Sequence, residues 1–320
     1  MIDSPITKEP AQKAKIRMAR KPSSDDRRVR ISSSALTLEI APTCGACLTR
    51  CELRIGSNRY DILRPAVESQ IQARSPYGAS CFPMIPYAGR LREGTFEFAG
   101  RSVRFPINAP GERHSYHGDG WMRPWNVLEA SRGRVVLELP ADATAPIHYH
   151  AIRSIEVEGT RWAVTLNIRN CETTPLPLGG GLHPYFPRRQ GATLLAQLPL
   201  RWRLDSEQMP LGTEPNPQAT ALAHGLPVTM LPAGALYSGW DGTALISWPA
   251  EGIALSVRTR PAVEHAVVWV PDNEDFFCFE PVSHATNAVN LRREQIEGED
   301  HQVIGPGEIS QQEFIFTVSA

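Results

Sequence analysis

Two short stretches hold side chains suited to moving protons at neutral pH. In Gly179-Gly180-Gly181-Leu182-His183-Pro184-Tyr185-Phe186-Pro187, three glycines permit close backbone approach and two prolines stiffen the path around one imidazole. A histidine near its reference pKa of about 6.5 can deliver a proton at neutral pH, which few other side chains can do. In Phe276-Phe277-Cys278-Phe279-Glu280-Pro281 a nearly continuous apolar run ends in a carboxylate. Burial there would raise the Glu280 pKa above its reference of about 4.3 and make it a stronger base. A strand-end glutamate pointing into water would leave the same trace, so this motif decides nothing by itself.

Two further stretches carry groups that bind rather than transfer. Ile85-Pro86-Tyr87-Ala88-Gly89-Arg90-Leu91 presents a planar guanidinium on a Pro/Gly-rich loop, suited to vicinal hydroxyls or to an ion pair at a sheet rim. His114-Ser115-Tyr116-His117-Gly118-Asp119-Gly120-Trp121 crowds imidazoles, an acid and an indole into one loop. That mixture suits a sugar, with aromatics on its C–H face and His or Asp on its hydroxyls; a solvent-facing turn is the alternative.

Two metal patterns are weighed and set aside. His148 and His150 share one strand face, but the next acid, Glu156, lies too far along for a cupin-type set. Cys44, Cys47 and Cys51 have no second cysteine pair at zinc spacing, so buried thiols acting as small hydrophobes explain them better. No metal and no cofactor is expected.

The elements that must position these groups are strands. Leu36, Leu38 and Ile40 alternate, as do Val135, Leu137 and Leu139. Phe96–Phe98 and Ser102–Phe105 flank an Ala-Gly turn, and Ile152–Val157 and Trp162–Ile168 flank Gly-Thr, so both pairs read as hairpins. Further strands are expected at 244–248, 254–259, 266–270, 276–279 and 313–318. No amphipathic helix longer than two turns is found after residue 30, and most of the 28 prolines and 24 glycines punctuate turns. The expected class is all-β: one large antiparallel β-sandwich over residues 32–320, preceded by a disordered basic arm over 1–31.

Composition narrows the partners. Of 320 residues 42% are hydrophobic, and 33 basic residues nearly cancel 34 acidic ones, leaving a net charge of -1. No global field recruits nucleic acid or an anionic membrane, and charges or prolines break every apolar run short of the roughly 20 residues that span a bilayer. The six cysteines are too few for a disulfide scaffold, and no secretion signal follows Met1, so reduced thiols and a cytoplasmic location are expected.

In order, PYAGRL (86–91), YHGDGW (116–121), HPYF (183–186) and FCFEP (277–281) resemble the aldose 1-epimerase, or galactose mutarotase, family. The resemblance covers residues 33 to 318. It implies a galactose mutarotase-like β-sandwich that interconverts the anomers of a monosaccharide, with His183 as general acid, Glu280 as general base, and Arg90 and His117 positioning the sugar. The family arginine usually follows asparagine and here follows Gly89; the family histidine often precedes two glycines and here precedes Gly118-Asp119. A substrate-binding aspartate is expected near Tyr237, where Asp241 is the nearest acid and is carried over. A sugar-phosphate mutarotase would need extra cations, for which Arg123, Arg188 and Arg189 are candidates; a non-catalytic carbohydrate-binding protein could keep the same sandwich.

Overall fold

Strand Tyr149–Glu158 turns at Gly159-Thr160 into strand Arg161–Asn170, and the register Val157↔Trp162 buries Val164, Leu166 and Ile168 on one face, as the alternation predicts. The smaller expected hairpin forms from Thr95–Phe98 and Arg101–Arg104, with Ala99 and Gly100 both at positive φ in the turn. The structure, a computed structural model, describes residues 28–320. Most described strands belong to two antiparallel sheets of 11 and 9 strands that pack face to face. The α-helices among the described residues are single short turns of five or six residues at Glu68–Gln72, Ala219–His224 and Ala288–Arg293. None of the described helices is long and apolar enough to cross a membrane.

The arm expected over residues 1–31 lies outside the described residues as far as residue 27, and its end is corrected. Val29–Ser32 is the first strand of the larger sheet, paired Val29↔Ile40 and Ile31↔Leu38, with Ile31 fully buried. Arg28 bonds Glu39 at 2.8 Å and Glu68 at 2.5 Å. Density of basic residues masked a two-residue alternation, in which Val29 and Ile31 point inward while Arg30 stays exposed.

The larger sheet runs, in its central part, Cys81–Met84, Gly181–Pro187, Phe276–Val282, His265–Trp269, Gly234–Ser238 and Leu200–Leu204. Strand parity divides each of these into two faces. Leu182, Phe186, Phe277, Phe279, Ala266 and Val268 enter the core between the sheets. Their neighbours point to the outer face, where loops cover Phe82, Tyr185, Phe276 and Cys278 in a second apolar cluster. Every residue of Phe276–Val282 is therefore buried, which explains why its sequence reads as a continuous apolar run.

Glycines bring the strands this close. A Cβ built on Gly181 would lie 2.4 Å from the Pro281 carbonyl oxygen, so no side chain fits between these strands. Gly181→Ala should lower the unfolding free energy by about 1–3 kcal/mol, read from urea denaturation. Wild-type stability in that variant would show that the two strands tolerate a wider spacing.

Candidate active site

The pairs Gly181↔Val282 and Tyr185↔Cys278 fix the register of two neighbouring strands, and between them the same register sets His183 opposite Glu280. Both point to the outer face, and His183 Nε2 lies 3.3 Å from Glu280 Oε1. The imidazole stacks on Phe82 and Tyr185, with centroids 4.6 and 4.7 Å away. Position i+2 from His183 supplies Tyr185, so the same alternation that places the imidazole also places its support.

Burial tunes the pair in opposite directions. Desolvation pushes the Glu280 carboxyl up to about 8, with the Arg90 charge pulling the other way. It pushes the His183 imidazole well below its ordinary value, helped by His117. Both shifts favour the neutral forms, a carboxylic acid beside an uncharged imidazole.

His117 stands over this pair, its ring perpendicular to that of His183 at 5.5 Å. Its Nδ1 accepts the Gly89 N–H at 3.2 Å, while the backbone N–H of His117 donates to the Gly89 carbonyl at 2.9 Å. The ring proton therefore sits on Nε2. Burial and the Arg90 charge lower its pKa to about 3, so it is a neutral donor throughout the neutral range. Gly89 has φ +74°, and a Cβ there would lie 2.4 Å from Thr286 Oγ1. Thr286 thus fills the space where a larger residue preceding the arginine would sit.

Arg90 is half-buried in a short ribbon with Tyr116. Its Nε donates to the Tyr116 hydroxyl at 2.9 Å, and that hydroxyl donates to Glu112 at 2.8 Å. The guanidinium also lies over the Tyr116 ring, 4.9 Å from its centroid. Its Nη atoms have no hydrogen-bond partner among the described residues.

His183, Glu280, Arg90 and His117 line one cleft of about 530 Å³, together with Tyr77, Phe82, Tyr116, Tyr185, Trp269 and Thr286. Of the five site residues expected from sequence, Asp241 alone lies elsewhere. It is exposed at the start of strand Thr243–Trp248, where its carboxylate accepts the Thr243 N–H at 2.9 Å and hydroxyl at 2.8 Å. That is a local turn, the ordinary use of Asp before a strand. Near Tyr237 the cleft is lined instead by Gly234, Ala235 and Leu236.

The three candidate phosphate-binding arginines also lie outside the cleft. Arg123 bonds Asp119 and the Pro140 carbonyl, Arg188 the Pro271 carbonyl, and Arg189 the Asp61 carbonyl. His150 pairs with Glu138 at 3.0 Å, away from a metal arrangement with His148. Cys44, Cys47 and Cys51 are buried free thiols.

Sequence reasoning passed over Glu112, Trp269, Thr286 and the thiol of Cys278. His183, Cys278 and Glu280 place one ligand-type atom each within 4.8 Å of one another. Burial raises the Cys278 thiol as it does the Glu280 carboxyl, so a metal would have to displace protons from both. Protonated acids beside an imidazole suit proton transfer better than ligation. The spacing i−2 from Glu280 could have pointed to Cys278; Glu112 and Thr286 reach the cleft only through loop folding.

The structure is an antiparallel sandwich whose larger sheet carries an imidazole–carboxyl pair at the bottom of an aromatic-lined cleft. The chain belongs to the aldose 1-epimerase family, whose profile matches residues 27–317. YphB, an uncharacterized protein of Escherichia coli K12, is 30% identical over 266 residues, covering 80% of this chain and 88% of that protein. A crystal structure from Escherichia coli K12, provisionally assigned as an aldose 1-epimerase, matches with a TM-score of 0.81 at 27% identity over 92% of this chain and 99% of that one. A galactose 1-epimerase from Lactobacillus acidophilus shares the fold at a TM-score of 0.71 and 14% identity, over 94% and 97% of the two chains.

The raised Glu280 pKa has a cost in stability with a definite sign. The carboxyl stabilises the fold fully below its unfolded value near 4.5, and that contribution is lost as pH rises through about 8. Glu280→Gln stays neutral throughout, so it should exceed the wild type in stability at pH 9 by on the order of a few kcal/mol, with the gap narrowing toward pH 5. Thermal melts across that range check it, and a gap independent of pH would contradict it.

Proposed function

We propose that this protein is an aldose 1-epimerase that interconverts the α and β anomers of an uncharged aldose, with Glu280 and His183 as its proton carriers. The observation that carries the reading is their separation of 3.3 Å across adjacent strands on the cleft floor. The anomeric oxygen and the ring oxygen of a pyranose are bonded to the same carbon. Groups that serve both must therefore lie together, as these do.

The Glu280 carboxylate takes the proton from the anomeric hydroxyl while the His183 imidazolium gives its Nε2 proton to the ring oxygen. The bond between C1 and the ring oxygen breaks, its electron pair stays on that oxygen, and an open-chain aldehyde forms. Rotation about C1–C2 presents the other carbonyl face, and reclosure with the two transfers reversed gives the opposite anomer. No net proton or electron is consumed.

The opposed pKa shifts favour this exchange. A carboxylate whose acid has a pKa of about 8 is a strong base for its kind, and an imidazolium whose pKa is pushed down by burial is a strong acid. Ring opening leaves a neutral acid and a neutral imidazole, the distribution that the dry cleft prefers. The ion pair before the step and the neutral pair after it hold the same number of protons, so they titrate as one unit.

Arg90 and His117 line the same cleft, where their guanidinium and Nε2–H donors stabilise negative charge as it develops on oxygen. The sugar-phosphate reading is disfavoured by the geometry, because Arg90 is the arginine that lines the cleft and it already faces Glu280.

Glu280→Gln and His183→Ala should each slow enzyme-driven anomer interconversion by roughly 10²- to 10⁴-fold while circular dichroism stays unchanged. Arg90→Ala should slow it less, by about 10- to 100-fold. Polarimetry on freshly dissolved α-aldoses measures both effects. Full activity in either of the first two variants, or binding of sugar without any acceleration in the wild type, would replace the enzyme reading by that of a carbohydrate-binding protein. Faster turnover of 6-phosphorylated than of free aldoses would restore the rival substrate class.

A further inference from the structure

We infer that Arg64 is a positioning residue for His183: seated behind Tyr185, its guanidinium holds the plane of the imidazole and keeps the proton-carrying pair from taking up one proton too many. This rests on the mutarotase reading and deepens it by naming a residue outside the cleft that governs its acid.

Five planar groups form one column through the site. The Arg64 guanidinium carbon lies 4.1 Å from the centroid of the Tyr185 ring. Tyr185 stacks on His183 at 4.7 Å and 25°, His183 on Phe82 at 4.6 Å and 29°, and Phe82 on Trp121 at 4.9 Å and 27°. The imidazole stands in the middle, with an aromatic ring on either side. Trp121 ends the column in the loop that carries His117, where its indole N–H donates to the Gly118 carbonyl at 3.1 Å. Arg64 ends it on the opposite side.

Main-chain and side-chain bonds fasten Arg64 to the ring it touches. Its backbone N–H donates to the Tyr185 carbonyl at 2.8 Å, and its Nη2 donates to the carbonyls of Ala79 at 2.9 Å and Tyr77 at 3.2 Å. Phe276, on the strand beside that of Tyr185, places its ring centroid 4.3 Å from the same guanidinium. No carboxylate pairs with Arg64 among the described residues, and its Nε is buried without a hydrogen-bond partner. A guanidinium held by ring faces and neutral carbonyls keeps its charge uncompensated, and that charge acts along the column.

Few other charges reach the imidazole. Strand Phe276–Val282 presents Glu280 and Cys278, strand Cys81–Met84 presents Cys81, whose thiol meets the His183 backbone, and the loop above presents His117. Burial holds both thiols and the Tyr185 phenol protonated, and His117 is neutral in the neutral range. The Arg90 charge bears on Glu280 and His117, whereas the Arg64 charge bears on His183. One proton beyond the working state would make the pair a carboxylic acid beside an imidazolium, with no carboxylate left to receive the anomeric proton. The cation on Arg64 opposes that uptake, so the site loses its base only at a lower pH.

The test follows kcat and KM by polarimetry from about pH 4.5 to about pH 9, with glucose or galactose, whichever the wild type converts faster. In Arg64→Met the acid-side pH at which half of kcat remains should rise by roughly half to one pH unit. The alkaline limb should stay in place and KM should change by less than about twofold, because Arg64 is not among the residues that line the cleft. Arg64→Lys keeps the charge and should return the acid limb to its wild-type position. Arg64→Gln carries the same expectation as Arg64→Met, and thermal melts establish which of the two is folded. Nitrogen-15 spectra of ring-labelled histidine, with His183→Asn to assign the signal, should show His183 protonating at higher pH in Arg64→Met whether or not sugar turns over. A titration and an acid limb unmoved by loss of the charge, or moved as far by Arg64→Lys, would overturn the inference and leave the mutarotase reading standing. A moved titration in a protein whose wild type does not accelerate mutarotation would sustain the link from Arg64 to His183 and overturn the mutarotase reading.

Discussion

Opposition of His183 and Glu280 across two adjacent buried strands is the constraint around which the rest of this molecule is arranged. An imidazole and a carboxyl 3.3 Å apart are unremarkable in water, where each would titrate near its ordinary value. Here the sheet behind them, Phe82 and Tyr185 beside them and the loop of His117 above them exclude water. Both groups are driven toward their neutral forms. In the proposed reaction the ion pair that meets the sugar returns to two neutral groups, the distribution that a dry site favours.

The same constraint explains the surrounding design. Gly181 lets the strand of His183 press against that of Glu280, and Gly89 lets the arginine loop press against Thr286. The loop from Tyr87 to Trp121 is bound to itself through Gly89 and His117, so the neutral donor and the guanidinium are delivered as one unit. Remote charge pairs such as Arg92 with Asp205 hold the walls and stay off the floor. Surface pairs of this kind contribute little to stability, and here their consequence is cleft shape.

Departures from the family pattern lie at both ends of the site, at Gly89 and Gly118-Asp119 beside Arg90 and His117 and at the stretch before Tyr237. The proton carriers keep their places, and Gly89 and Thr286 fill the volume beside Arg90. Beyond Glu280 the floor is apolar from Val267 to Leu204.

The sequence by itself determined the all-β class, both hairpins and four residues that the fold brings into one cleft, because alternation of period two and glycine-flanked motifs are local signals. It also fixed which face His183 and Tyr185 share, since parity along a strand needs no partner. Tertiary structure decided the rest. Val29–Ser32 forms a strand because Leu38 and Ile40 are there to pair with it, which no count of arginines reveals. Asp241 falls to a turn because its nearest polar groups are those of Thr243, two residues on. Glu112, Thr286 and the exposed indole of Trp269 reach the cleft only when loops and strands far apart in the chain converge. The motifs named the chemistry; depth of burial, which depends on every neighbour at once, set the protonation of the pair.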